Sequence, residues 1–64
     1  MQVGDKVIVT LDPNLSLRYF AFQFLIGVKK EIVDISIIDG EIHQLAIMYA
    51  GGRTWFFPSE LKKI

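Results

Sequence analysis

Apolar and polar positions alternate with a period of two along much of the chain, the spacing that sends successive side chains to opposite faces of a strand. Val7-Ile8-Val9-Thr10-Leu11 is a short apolar run, opened by Gly4-Asp5 and closed by Asp12-Pro13, and predicts a first strand. Val28 to Ile38 predicts a longer second strand, with Val33, Ile35 and Ile37 on one face. Asp39-Gly40 then lies between two β-like runs, a strong hairpin signal because both residues tolerate positive φ. The returning strand, Glu41 to Ala50, points Leu45, Ile47 and Tyr49 one way and Ile42, Ala46 and Met48 the other. Gly51-Gly52 predicts a second tight turn and Arg53 to Phe57 a fourth strand. Pro58 ends that strand, Ser59-Glu60-Leu61 reads as one 3₁₀ turn, and Lys62-Lys63-Ile64 as a final short strand.

Asp12 to Ile26 follows neither period cleanly. Asp12-Pro13 suits a helix N-cap followed by proline, and Leu15, Tyr19, Phe22 and Ile26 fall on a helical stripe. Phe20, Phe22 and Phe24 alternate instead as a strand would place them. Either conformation leaves aromatic surface on a second face. The expectation is a long irregular loop ending in a short helical turn before Gly27.

Composition supports a β fold: sixteen residues are Val, Ile or Thr and eight are aromatic. Sixty-four residues allow one domain over 1–64, and 52% hydrophobic residues exclude intrinsic disorder. The formal net charge is zero, without the basic excess that drives non-specific nucleic-acid binding. There is no cysteine, hence no disulfide and no thiolate metal site. The opening Met1–Lys6 has no basic-then-apolar leader pattern, and the longest apolar stretch, Tyr19 to Val28, is too short for a bilayer span. A cytoplasmic protein without membrane contact is expected.

Phe56-Phe57-Pro58-Ser59-Glu60-Leu61 resembles the aromatic-Pro-Ser stretch that carries the 3₁₀ turn of Src-homology-3-like (SH3-like) barrels. Val3-Gly4-Asp5-Lys6-Val7 is similar to the opening strand of small barrels of the KOW and Mib-Herc2 kind. With Gly27, Lys29-Lys30, Trp55-Phe56-Phe57, Glu60-Leu61 and Ile64, the whole layout resembles short barrel proteins encoded by phages and mobile elements. The resemblance implies an all-β SH3-like barrel of about five strands, with a long first loop. It does not extend to the peptide-binding aromatics of that fold: Leu61 stands where a tyrosine is expected, and only Phe56 falls at a groove position.

Candidate chemistry is sparse. His43 is the single imidazole, and with no cysteine or second histidine it builds no zinc site. Ser16, Ser36, Ser59, Thr10 and Thr54 show no nucleophile motif. Gly51-Gly52-Arg53 lacks the Lys-Ser/Thr and helix of a phosphate loop. No catalytic residue, metal or cofactor is expected. Lys29, Lys30, Lys62 and Lys63, with Arg53, form a candidate basic stripe for single-stranded nucleic acid.

Amount, more than motif, points to function. A barrel of about 60 residues has few interior positions, and small domains bury only about 60% of their unfolded surface. The apolar surplus sits in Leu15 to Ile26, and exposing it would leave a patch larger than monomers carry. The expectation is therefore a non-catalytic protein-interaction module, homo-oligomeric or part of a larger assembly. Arg18, Tyr19, Phe20, Phe22, Phe24 and Phe56 are its candidate contacts. The phage-like resemblance implies an accessory or inhibitory protein. The alternatives are a nucleic-acid accessory factor and an oligomeric enzyme with a pocket between subunits.

Overall fold

Six strands form among the described residues, four of them carrying β-branched side chains that suit a half-buried pleated surface. A computed structural model describes residues 1–14 and 17–64. Its strands are β1 (Lys6–Val9), β2 (Lys29–Glu31), β3 (Asp34–Ile38), β4 (Glu41–Tyr49), β5 (Gly52–Phe56) and β6 (Leu61–Lys63). One short helix, α1 (Tyr19–Phe22), runs into a 3₁₀ turn at Gln23–Leu25, and a second 3₁₀ turn, Pro58–Glu60, links β5 to β6. The strands make two antiparallel three-stranded sheets, ordered β2-β1-β6 and β3-β4-β5. The protein is all-β, as the alternation implies, but the sheets do not close into a barrel.

The expected long strand Val28–Ile38 is divided, and the backbone shows why. Ile32 donates to Asp5 and accepts from Gly4, beside β1, whereas the next amide, Val33, donates to Ala46 in β4. The chain changes sheets between these two residues, the device by which a strand turns a corner. Ile32 is fully buried at that corner. A further register shift between Ser36 and Ile37 leaves Ile35 against the core but Ile37 exposed. The expected common face of Val33, Ile35 and Ile37 is thus interrupted.

The core lies between the sheets. Val7, Val9 and Leu61 come from the first, Leu45, Ile47 and Phe56 from the second, and Leu11, Leu25 and Ile32 close it from the connections. No buried polar side chain lacks a partner among the described residues. At the far end, the Gln2 backbone N–H donated to Asp5, with Lys63 nearby, holds the Asp5 carboxyl below its ordinary range.

The hairpin at Asp39-Gly40 forms as expected, with φ of 53° and 80° matching a type I′ turn. The second turn falls one residue earlier than Gly51-Gly52: Ala50 and Gly51 take φ of 53° and 82°, and Gly52 pairs with Tyr49.

Candidate interaction surface

Residues 17–25 form a strap of turn, α1 and 3₁₀ turn laid over one end of the sheets. Intrinsic propensity does not hold it: Tyr and Phe are mediocre helix formers, and α1 has four residues and no side-chain cap. An Asp12 carboxylate accepting the Asn14 N–H turns the chain before the strap. After it Ile26 bridges to Val9, and Gly27, at φ 77°, donates to the Val9 carbonyl. The positive φ there is one glycine adopts without strain.

Tertiary contacts of one row, Arg18, Phe22 and Leu25, anchor the strap, these being helical neighbours at i, i+4 and i+7. Leu25 is buried in the core. The Phe22 ring meets Phe56 edge-on at 5.1 Å and Tyr49 at 6.0 Å. Above them the Arg18 guanidinium lies 4.6 Å from the Phe56 centroid and 5.3 Å from that of Phe22. Arg18 also donates to Glu60 Oε1 at 2.7 Å and to the Trp55 carbonyl. The same Glu60 oxygen accepts the Phe57 N–H at 2.8 Å. Strand β5 is an outer strand, and the Arg18–Glu60 pair binds main-chain groups at its end and just beyond it, the Trp55 carbonyl and the Phe57 N–H, which a neighbouring strand would otherwise take.

The opposite row points away from the sheets. Leu17, Phe20 and Phe24, at i, i+3 and i+7, are 98%, 69% and 81% exposed. Phe20 packs edge-on against half-buried Tyr19 at 5.5 Å, which restrains its ring. Arg18, Tyr19 and Phe22 are therefore engaged by the chain itself, and Phe56 is fully buried, out of reach of any partner. Of the six candidate contacts only Phe20 and Phe24 face outward. Leu17 joins them and was missed, although its spacing of three and seven from the two phenylalanines is visible in the sequence. Leu15 and Ser16 lie outside the described residues.

The basic candidates are split between two sheets. In the first, Lys29 and Lys62 flank Ile8, and Lys30 and Lys63 flank Val7. Lys63 lies 3.5 Å from Asp5. Arg53 belongs to the second sheet and binds Asp34 at 3.0 Å. No aromatic residue occurs in β1, β2 or β6. His43 is exposed and meets the Phe57 ring edge-on at 5.7 Å. No group of three or more potential metal ligands occurs among the described residues, and no described helix is long and apolar enough to cross a membrane. Compared with known proteins, the chain matches no family model, no curated protein and no solved structure.

Proposed function

We propose that the chain is a non-catalytic protein-interaction module of the small SH3-like kind, presenting the outer row of its strap to a protein surface. One observation carries this. A segment anchored by Arg18, Phe22 and Leu25 leaves Leu17, Phe20 and Phe24 exposed to water. Large apolar side chains exposed on one short segment mark interaction sites, and aromatic residues on a fixed support dominate the energetics of protein interfaces. The 3₁₀ turn between β5 and β6, and a chain that turns from one sheet into the other, suit an SH3-like architecture with open sides. A role as a phage-type accessory or inhibitory protein fits a domain whose activity is confined to one docking face.

The nucleic-acid alternative has less support. Its four lysines stand on a sheet without aromatic residues on which bases would stack, and Arg53 is committed to Asp34. For an enzyme between subunits, the strap's outer row offers no polar side chain with which to start chemistry.

A photo-activatable amino acid at Phe24, with Lys62 as the control position, tests the proposal in cells that make the protein. Irradiation is expected to give protein adducts at position 24 and none at 62. Adducts to nucleic acid, or no adduct at 24, would overturn it.

A further inference from the structure

We infer that the outer row of the strap is occupied by a second copy of this chain, the two straps meeting across a two-fold axis. This rests on the interaction-module proposal and names its partner. Two phenylalanine side chains and a leucine at the exposures given above present on the order of 450 Å² of apolar surface. A standard interface takes about 800 Å² from each partner and is roughly 60% apolar. The row alone therefore supplies close to the apolar area that one side of a stable dimer needs.

Charge narrows the choice of partner. Between Pro13 and Val28 the sequence holds one charged residue, Arg18, and Glu60 already pairs with it. A partner selected by charge finds nothing to grip on this face, whereas an equally neutral apolar surface loses no ionic hydration by approaching it. A second copy supplies that surface. The chain's net charge of zero removes long-range repulsion between copies. Under two-fold symmetry one patch meets itself, so Phe20 of one copy packs beside Phe24 of the other, with exposed Ala21 near the axis.

Sedimentation equilibrium of the intact chain from about 1 to 500 µM is the decisive experiment, since three apolar anchors in a small interface correspond to micromolar affinity. Wild type is expected to dimerise in that range. The double variant Phe20→Asp/Phe24→Asp is expected to raise the dissociation constant at least about 100-fold with an unchanged circular dichroism spectrum. Because the chain has no cysteine, Ala21→Cys provides a second test that does not burden folding. Mild oxidation should give a disulfide-linked dimer, while Thr10→Cys, exposed elsewhere, should remain monomeric. A wild type that stays monomeric at 500 µM, a double variant that dimerises as well as wild type, or linkage at Thr10 and not Ala21 would each overturn the inference. If wild type is monomeric yet position 24 still forms adducts with another protein, the module stands with a different occupant. If position 24 forms no adduct at all, both fall.

Discussion

Arg18 and Glu60 are 42 residues apart, and nothing in the spacing of the sequence links them. Arg18 was legible as the single charge inside an aromatic segment and as a candidate contact of the outer surface, not as a clasp within the chain. Its partners were not legible, because they come from the far end of the chain: one carboxylate, one main-chain carbonyl and the face of Phe56. The planar guanidinium satisfies all three at once, and a lysine ammonium, a point charge, cannot. Arg18→Ala should lower stability by about 2–3 kcal/mol, because the ion pair is mostly shielded and a charged hydrogen bond contributes about 1.5–3 kcal/mol. Arg18→Lys should recover less than half of that loss. Urea unfolding of the three proteins measures both, and equal stability of Arg18→Ala and wild type would show that the clasp does not hold the strap.

Turns and strand faces were largely visible as elements; exact register and the sheet corner were not. Asp39-Gly40 announces its hairpin because few residue pairs accept two positive φ values. Ala50-Gly51 was hidden behind Gly51-Gly52, for a physical reason. Moving a two-residue turn by one position shifts strand pairing by two, which leaves Leu45, Ile47 and Phe56 on the same face. Alternation therefore cannot distinguish the two registers. The corner at Ile32-Val33 left one trace, two adjacent apolar residues between Glu31 and Asp34 where the alternation changes phase, but that pair alone does not say that the hydrogen bonds pass from one sheet to the other. Ala50 in turn carries a cost: an alanine at φ 53° is strained where asparagine is tolerated. Ala50→Asn should raise stability by about 0.5–1 kcal/mol, read from the urea midpoint at unchanged slope, and a loss would mean that the turn is not of type I′.

The whole molecule buries no less surface than its size requires. Its accessible area of 4285 Å² is close to the roughly 4,200 Å² that area–mass scaling gives for a 7.3 kDa monomer. The surplus of apolar residues that the composition announces is therefore expressed as the kind of surface exposed, not as extra area. The chain spends Arg18, Phe22 and Leu25 on attaching its strap and leaves Leu17, Phe20 and Phe24 outside, a division that a two-faced apolar segment does not reveal until one face is docked. If that outer face joins two copies, stability must depend on protein concentration by mass action. For a folded dimer unfolding to two chains, a hundredfold increase in concentration adds about 1.4 kcal/mol per chain and raises the thermal midpoint by about 5–10 °C. Because charge is nearly absent from the strap, dissociation should change less than about twofold between 50 and 500 mM NaCl, whereas a contact made by the Lys29 and Lys62 sheet to a polyanion would weaken steeply over the same range. Calorimetry at 5 and 500 µM, repeated at both salt concentrations, separates the two cases. A midpoint independent of concentration would remove the second copy from the strap, and an association that dissolves with salt would place the contact between copies on charged residues such as those of the lysine sheet.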